Sequence, residues 1–361
     1  MKFRGVNLGN WLVLEKWMGS SPLSEAQSED DRGLVDEFDA DELAAALDEH
    51  RRTYITEEDF AWMAEVGIDL VRIPVPYYLF GSDHHTPCAD YLDLAFSWAE
   101  QYGIKVLVDL HTVPLSQNAF DNGGYMGLCA WAQDQGRIDY VVDVLERIAR
   151  RYAGHSALWG IEALNEPANK FLLKMNLENY GKDYPERVER SKAIPRKVLV
   201  KFYKQVYERL RPIVGPDVAI VFHDQFELDS WSKSLPAKKY KNIVIDTHMY
   251  LNFSEHGFKH FDAAEYQARI GEFAKQVRKA CKHHDVLVGE WCLGNHSPLR
   301  KKLDAEGRRD FYRALADAQL EAWDQGVGSC YWSYRVDDAD HPDWDLRTCV
   351  REGWIDLRHG R

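Results

Sequence analysis

The stretch Leu158–Pro167 reads LWGIEALNEP, a mainly apolar run that ends in Asn165, Glu166 and a proline. A short apolar run of this kind predicts a strand that is buried on both faces of a parallel sheet. Because proline cannot donate to a sheet, the strand is expected to stop before it, with the two polar side chains at its carboxyl end. Similar runs recur along the chain and decide the fold.

Eight short apolar runs alternate with helical patterns. The predicted strands are Phe3–Asn7, Leu70–Pro74, Lys105–Asp109, Leu158–Leu164, Val218–Phe222, Ile243–Thr247, Val286–Gly289 and Ser329–Ser333. The predicted helices are Phe60–Val66, Tyr91–Tyr102, Arg137–Tyr152, Arg196–Val214, Ala263–His284 and Ala305–Gln325. This alternation favours a (β/α)8 TIM barrel of the α/β class. The alternative is an open doubly wound sheet, but the chain has neither of the common Gly-rich phosphate loops of such sheets.

Residues 1–361 are expected to form one domain, because α/β barrels of this length commonly do so. Two long insertions, about Gly19–Tyr54 and Ala168–Pro195, interrupt the repeat. The first is acidic, and the second is polar and basic. The second is interpreted as a solvated surface or, alternatively, as a lid or a subunit contact near the mouth of the barrel. An oligomer is compatible with the sequence, which gives no signal for one.

The composition argues against several classes of function. The chain has 45 Lys and Arg against 58 Asp and Glu, a formal net charge of −13. Nucleic-acid binding requires a basic surface, so neither nucleic acid nor an anionic membrane is an expected partner. Aromatic residues make up 12% of the chain, which fits a neutral ligand with flat apolar faces. No apolar run reaches transmembrane length and no secretion signal is recognised, so a cytoplasmic protein with reduced cysteines is expected.

In a barrel of this type, functional side chains cluster at the carboxyl ends of the strands. The candidates at the predicted strand ends are Arg72, His111, Asn165, Glu166, His223, His248, Tyr250, Glu290 and Trp332. None of these residues is specific by itself. Together they place a cation, three imidazoles, two carboxylates and flat aromatic rings at one end of the barrel.

The two glutamates suggest a mechanism that uses a pair of carboxylates. In glycoside hydrolysis, one protonates the leaving oxygen and the other attacks as nucleophile, and a separation of about 5–5.5 Å gives retention of anomeric configuration. Arg72 is expected to keep the nucleophile ionised, and that anion to raise the pKa of the acid. Trp332 could form a flat floor for a sugar ring. The alternative for each glutamate is a salt-bridged carboxylate at the rim.

A metal site is the competing chemical hypothesis. His111, His223 and His248 at strand ends could bind zinc. However, no strand carries a His-x-His pair, and the spacing is a weak metal signal. We therefore expect no metal and no cofactor.

Several stretches also carry a resemblance to a known family. They are Gly5–Glu15 (GVNLGNWLVLE), Tyr54–Phe60, Val71–Pro74, Asp109–His111, Ser116–Asn122, Gly160–Pro167, Gly289–Trp291 and Pro342–Asp345. On these residues the chain, from Arg4 to about Trp354, resembles glycoside hydrolase family 5 and, within it, the exo-β-1,3-glucanase-like branch. The active-site positions that the resemblance fills are Arg72, His111, Asn165, Glu166, His248, Tyr250, Glu290 and Trp332.

The resemblance implies roles for these residues. Glu166 is expected to be the acid/base and Glu290 the nucleophile, with Arg72 and Tyr250 tuning Glu290. Asn165 is expected to bind the 2-hydroxyl of the substrate.

Further residues are implied around the −1 sugar, whose anomeric bond is cleaved. Trp332 is expected to lie beneath this sugar, and Glu15 to bind the hydroxyls of its non-reducing end. Trp131 and Phe253 are expected to form an aromatic clamp at the entrance.

The expected function is that of a retaining, exo-acting β-glycosidase that hydrolyses short β-linked oligosaccharides. A β-mannosidase of the same family is the near alternative, and an endo-β-glucanase or mannanase a more distant one. A sugar-binding barrel without catalysis is the alternative from another class, but such a protein should lack one of the two carboxylates. The sequence leaves the sugar at −1, the linkage and the aglycone open.

Overall fold

The computed structural model describes residues 2–82 and 84–358. Its strands are β1 (Phe3–Asn7), β2 (Leu70–Val75), β3 (Lys105–Leu110), β4 (Leu158–Glu162), β5 (Ala219–His223), β6 (Ile243–His248), β7 (Asp285–Trp291) and β8 (Gly328–Tyr331). All neighbouring strands pair in parallel, and β8 pairs with β1, which closes the barrel. The prediction of a (β/α)8 barrel is confirmed, and the open sheet is excluded.

The helices lie between the strands and in the insertions. They are α1 (Pro22–Glu25), α2 (Asp31–Glu37), α3 (Ala40–Tyr54), α4 (Glu57–Val66), α5 (Ala89–Tyr102), α6 (Gln135–Tyr152), α7 (Lys170–Tyr180), α8 (Pro185–Arg190), α9 (Arg196–Val214), α10 (Ala263–Ala280), α11 (Leu299–Lys302), α12 (Ala305–Trp323) and α13 (Leu346–Arg351). None of these described helices is long and apolar enough to span a membrane.

The predicted helices differ from the observed ones mainly at their ends. Helix α4 begins three residues earlier than predicted, where Thr56 and Asp59 form a capping box. Helix α10 ends at Ala280, earlier than the predicted end at His284. The last carbonyls of α10 accept hydrogen bonds from the backbone N–H groups of Cys281 and the residues after it, which form a turn.

The interior of the barrel changes from apolar to charged along the strands. On β2, Leu70 packs in an apolar cluster that the strands build inside the barrel, and Arg72 lies two residues further along. On β6, Val244 belongs to the same cluster, and Asp246 and His248 follow at the same spacing. Because alternate residues of a strand face the same side, the charged groups lie directly above this apolar plug. The sequence of each strand therefore places its polar groups at the carboxyl end.

The two insertions meet over the carboxyl end of the barrel. Helices α1–α3 form the first insertion, and α7 and α8 form most of the second. Arg187 of α8 forms an ion pair with Asp30 at 2.7 Å and also donates to the carbonyl of Met126 at 2.8 Å. Asp30 is buried, so this pair fixes one insertion against the other in a partly desolvated place.

The six cysteines are unpaired and five are buried, as far as the described residues show. Free thiols were expected from the sequence.

Candidate active site

Arg72 lies at the centre of the charged layer and is completely buried. Its Nε donates to Glu162 at 2.8 Å, one terminal nitrogen donates to Glu290 at 3.0 Å, and the other to Asn165 at 3.0 Å. Asp109 and Asp246 lie 3.2 and 3.7 Å from the guanidinium. A planar guanidinium can serve several acceptors at once, so Arg72 holds the ends of β3, β4, β6 and β7 in one arrangement.

The buried carboxylates around Arg72 titrate in different directions. Burial raises the pKa of Glu162 well above its ordinary value, and the neighbouring Asp246 and Asp109 raise it further, against the effect of Arg72. Burial also opposes ionisation of Asp246, but His248 and Arg72 bring its pKa down to about 2. The layer therefore favours the ionised form of Asp246, whereas burial and the neighbouring anions oppose ionisation of Glu162.

Glu290 lies near the end of β7 between two donors. One carboxylate oxygen accepts from Arg72 at 3.0 Å, and the other accepts from the hydroxyl of Tyr250 at 2.7 Å. Burial raises the pKa of Glu290 above its ordinary value, partly opposed by His248 and Arg72. Gly289 is required just before it, because a Cβ there would lie 2.2 Å from the carboxylate of Asp246, which accepts the Gly289 N–H.

Glu166 follows β4 and takes a left-handed backbone conformation, with φ at 41°. Such a conformation is costly for a residue with a side chain and is found most often at functional sites. One carboxylate oxygen of Glu166 lies 2.7 Å from Nδ1 of His248, and the other accepts from the side-chain amide of Asn122 at 3.3 Å.

His248 connects the two glutamates. Its Nδ1 lies 2.7 Å from a carboxylate oxygen of Glu166 and 3.3 Å from one of Glu290. Two oxygens at these distances from one atom lie no more than about 6 Å apart, which is below the range of about 6.5–9.5 Å found in inverting glycosidases.

The charge of His248 reverses one expectation from the sequence. Burial opposes protonation of His248, but Glu290, Asp246 and Glu166 together hold its pKa well above its ordinary value. Burial also opposes ionisation of Glu166, but the hydrogen bond and the positive charge of His248 lower its pKa to about 2. The prediction that the neighbouring anion raises the pKa of the acid was wrong, because an imidazolium lies between the two carboxylates.

A second imidazole, His111, supports the opposite wall of the site. Its Nδ1 bonds to Asp109 at 2.5 Å, and its Nε2 lies 3.2 Å from the side-chain amide of Asn165. The ring lies nearly parallel to that of Trp332, with centroids 5.6 Å apart. Asn165 is therefore fixed between Arg72 and His111.

These groups open into a pocket of about 650 Å³ at the carboxyl end of the barrel. Its aromatic side chains include Trp17, Phe120, Tyr180, Phe253, Trp332 and Trp344. Both insertions contribute to the lining, the second through Tyr180 and the segment that follows it. The second insertion therefore lies at the mouth of the barrel, where part of it faces the pocket.

Glu15 is buried in the wall of this pocket and accepts from Trp17 Nε1 at 2.8 Å. Burial and the neighbouring Asp121 raise the pKa of Glu15 well above its ordinary value. Burial also raises the pKa of Asp121 to about 6. Both carboxyl groups line the pocket, where they can accept hydrogen bonds from hydroxyls of a ligand.

The expected clamp is only partly present. Phe253 is at the pocket rim with 70% of its surface exposed. Trp131 is completely buried, packs its ring against Phe202 at 4.9 Å and does not line the pocket. The prediction for Trp131 was wrong, because this residue belongs to the packing between its loop and α9. Phe120 lines the pocket instead.

The structure thus brings nine of the predicted site residues together, and a further predicted residue, Phe253, lies at the rim of the pocket. The nine are Glu15, Arg72, His111, Asn165, Glu166, His248, Tyr250, Glu290 and Trp332. Their individual roles stay predictions. Residues that the sequence analysis missed include Phe120, Asp121 and Asn122, although they lie in the stretch Ser116–Asn122 that carries part of the resemblance.

The histidines do not form the zinc site considered above. His111 faces Asn165 and Asp109, whereas ring nitrogens of His223 and His248 and an oxygen of Glu166 lie within 4.8 Å of one another. Both ring nitrogens of His248 already bond to carboxylates, one to Glu166 and the other to Asp246.

Comparison with known proteins identifies the family. Residues 38–338 match the model of the Cellulase family, described as glycosyl hydrolase family 5. The chain belongs to glycoside hydrolase family 5. It is therefore a glycoside hydrolase, and the resemblance seen in the sequence is confirmed.

Relatives match over nearly the full length of the chain. "Probable glucan 1,3-beta-glucosidase A" of Emericella nidulans is 31% identical, over 98% of this chain and 89% of the relative. "Glucan 1,3-beta-glucosidase 1" of Schizosaccharomyces pombe is 28% identical, over 98% of this chain and 87% of the relative. The solved structure described as AoRut has a TM-score of 0.81 and 25% identity, covering 99% of this chain and 97% of its own. The rutinosidase from Aspergillus niger has a TM-score of 0.78 and 22% identity, covering 98% and 97%, and shows the shared fold.

Proposed function

We propose that this protein is a retaining, exo-acting β-glycosidase that releases single sugars from short β-linked substrates. The observation that carries the proposal is the contact of Glu166 and Glu290 with the same nitrogen of His248, which places one oxygen of each carboxylate within about 6 Å of the other. At this separation a carboxylate can attack the anomeric carbon directly, whereas a wider gap would leave room for a water molecule.

In the first step, an oxygen of Glu290 attacks the anomeric carbon and forms a bond to it. The bond between that carbon and the glycosidic oxygen breaks, and the oxygen leaves with a proton from Glu166. Tyr250 and Arg72 each donate to one oxygen of Glu290, so they orient the carboxylate for attack. The product is a glycosyl-enzyme ester on Glu290 with inverted anomeric configuration.

The proton for this step is held by two residues together. In the free site, protonation of His248 and ionisation of Glu166 form an ion pair across a distance of 2.7 Å. Transfer of the proton from Nδ1 of His248 to Glu166 gives a neutral imidazole and a carboxylic acid without any change in net charge. Substrate excludes water from the pocket, and a drier site favours the neutral pair because separated charges are costly there.

In the second step, Glu166 acts as the general base. It removes a proton from a water molecule, and the water oxygen attacks the anomeric carbon of the ester. The bond to Glu290 breaks and its carboxylate is restored. Two inversions give net retention of configuration.

The lining of the pocket supports exo action, and the names of the relatives favour glucose. The insertions wall one side of the pocket, and we expect the carboxyls of Glu15 and Asp121, which also line it, to bind the terminal hydroxyls of the −1 sugar. Trp332 offers an aromatic face to the C–H face of this sugar. Phe120 and Phe253 line the same pocket, and we expect them to contact the leaving group. The names of the relatives, glucan 1,3-beta-glucosidases, favour β-1,3-linked glucose as the substrate.

The test combines a substrate panel with a product analysis. Aryl β-glucoside, β-mannoside, β-galactoside and β-xyloside are compared first, and then a β-1,3-linked glucose oligomer is followed by chromatography. We expect the highest kcat/KM on the β-glucoside and free glucose at the first time point. A series of intermediate oligomers without glucose would contradict exo action, and a preference for the β-mannoside would assign the alternative activity.

A further inference from the structure

His223 is a buried imidazole next to the acid/base that the mechanism above does not use. It is the last residue of β5, and its side chain is completely buried. Its ring meets that of His248 edge to face, with centroids 4.5 Å apart. One ring nitrogen of His223, one of His248 and an oxygen of Glu166 lie within 4.8 Å of one another.

The tautomer of His223 follows from a backbone contact. The backbone N–H of Gln225 donates to Nδ1 of His223 at 3.1 Å. Nδ1 must therefore carry a lone pair, and in the neutral ring the proton is on Nε2. Burial and the positive charge of His248 lower the pKa of His223 to about 3, so the ring is neutral at ordinary pH.

The turn that fixes this tautomer is firmly held. Gln225 has a left-handed backbone, with φ at 58°, and its side chain donates to the carbonyl of Ile194 at 3.0 Å. The carbonyl of Gln225 accepts from Asn169 at 3.0 Å. Tyr203 donates to the carbonyl of His223 at 2.9 Å. The second insertion therefore supports the loop that orients His223.

Nε2 of His223 is buried and has no hydrogen-bond partner among the described residues. A buried N–H donor without a partner is costly, so its position calls for an explanation. Since Nδ1 is turned toward its own loop, Nε2 lies on the other edge of the ring. Because Nδ1 is engaged by this loop, we assign to Nε2 the ring nitrogen that lies within 4.8 Å of an oxygen of Glu166, whose carboxylate moves between an ionised and a protonated form during the reaction.

The same tautomer argues against a metal at this place. A metal ion needs the lone pair of the nitrogen that it binds, so ligation at Nε2 would move the proton to Nδ1. That proton would then point at the N–H of Gln225, which is itself a donor. His223 is built as a donor and not as a ligand.

We propose that His223 is a positioning residue for Glu166. The Nε2–H of His223 donates a hydrogen bond to the carboxylate of Glu166 when that carboxylate is ionised. The inference rests on the proposed function of Glu166 as the acid/base. When Glu166 gives its proton to the leaving group, it becomes a carboxylate. His248 has already passed its proton to Glu166 and is a neutral imidazole, so it does not balance this negative charge. A second, fixed donor then stabilises the new anion at the transition state.

The kinetic test uses two variants and two substrates with the same sugar. His223→Phe keeps a flat ring and removes the donor, and His223→Gln keeps an N–H donor. For a β-1,3-linked glucose disaccharide, whose leaving group needs a proton, we expect His223→Phe to lower kcat/KM about 10- to 100-fold, the effect of one hydrogen bond to a charged group. For 2,4-dinitrophenyl β-glucoside the loss should be less than about threefold, because that leaving group departs without protonation.

His223→Gln should recover most of the loss on the disaccharide. Equal losses on both substrates, or a Gln variant no better than the Phe variant, would show that the ring only fills space and would overturn the proposal. Inhibition of the unchanged enzyme by micromolar Zn²⁺ that disappears in His223→Phe would also overturn it, because the lone pair would then face Glu166.

A measurement that does not depend on activity separates this proposal from the proposed function. Nitrogen-15 NMR of protein labelled at histidine gives the tautomer of each ring, and the signal of His223 is assigned by its loss in His223→Phe. We expect a neutral ring protonated at Nε2 from pH 5 to 8. A ring protonated at Nδ1, or an imidazolium, would refute the inference even if the enzyme hydrolyses every substrate as proposed.

Discussion

The floor of the pocket and its rim are built from different parts of the chain. The floor groups, such as Arg72 and Asp246, come from strands, are completely buried and contact one another at fixed distances. The rim groups, such as Phe120 and Phe253, come from loops, and Phe253 is mostly exposed. Substitution of one floor residue should therefore disturb its neighbours as well, whereas the effects of substitutions at the rim should be nearly additive.

Breaking the floor should have the largest effect. Arg72→Met leaves the carboxylates of Glu290, Glu162, Asp109 and Asp246 without their shared cation. Removal of one partner from a buried ionic cluster costs about 3–5 kcal/mol, so urea denaturation should show a loss of this size. We also expect kcat/KM to fall more than about a thousandfold, because the nucleophile loses a contact that orients it.

Arg72→Lys is the matched variant for cases in which Arg72→Met does not fold. It keeps the positive charge but cannot serve several acceptors in one plane. Because the positive charge of Arg72 lowers the pKa of Glu290, a weakened contact should raise that pKa and move the acidic limb of kcat/KM to higher pH. An unchanged limb would indicate that the charge of Arg72 does not act on the nucleophile.

Removal of the acid/base should have the second largest effect. Glu166→Ala should lower kcat/KM about 10²–10⁴-fold on a disaccharide, the usual contribution of general acid catalysis. On 2,4-dinitrophenyl β-glucoside the first step should be nearly unchanged. Added azide should then accelerate turnover and give the β-glycosyl azide, because a small anion can fill the space of the lost side chain. Equal losses of kcat/KM on both substrates would show that Glu166 is not the acid/base.

Changes at the rim should be the smallest. Phe253→Ala and Phe120→Ala should each cost about 1–2 kcal/mol in transition-state binding of a disaccharide, and much less for a glycosyl fluoride, which has almost no leaving group to hold. Trp131→Ala is the matched control, because Trp131 is buried against Phe202. It should lower the free energy of unfolding by about 3–5 kcal/mol. It should leave the ratio of kcat/KM on the disaccharide to kcat/KM on the glycosyl fluoride unchanged. A larger change of that ratio in Trp131→Ala than in Phe253→Ala would reverse the assignment.

The same contrast explains what could be predicted from the sequence. The strand ends were predictable, because short apolar runs mark the strands and alternation fixes which residues face the interior. Glu166 and Glu290 were found in this way, and their family motifs agreed. The rim was less predictable, since the position of a loop residue depends on long-range packing that periodicity does not record. The prediction for Trp131 is therefore wrong, and Phe120, within the stretch Ser116–Asn122, lines the pocket without a sequence signal of its own.

The electrostatics of the site could not be predicted for a related reason. The sequence showed that Glu166, His248 and Glu290 end different strands, but not that one imidazole nitrogen contacts both carboxylates. The direction of the pKa shift of Glu166 depends on that contact. In the same way, the role proposed for His223 depends on a backbone N–H two residues away, which no side-chain pattern reveals.

The central claim is that Glu290 attacks the anomeric carbon and that Glu166 assists from within about 6 Å. It is tested most directly by proton NMR of the anomeric signals during rapid hydrolysis of an aryl β-glucoside, recorded before mutarotation. We predict that β-glucose is formed first and that α-glucose follows only by slow equilibration. If α-glucose is formed first, the reaction inverts the anomeric carbon, and the assignment of Glu290 as nucleophile is wrong.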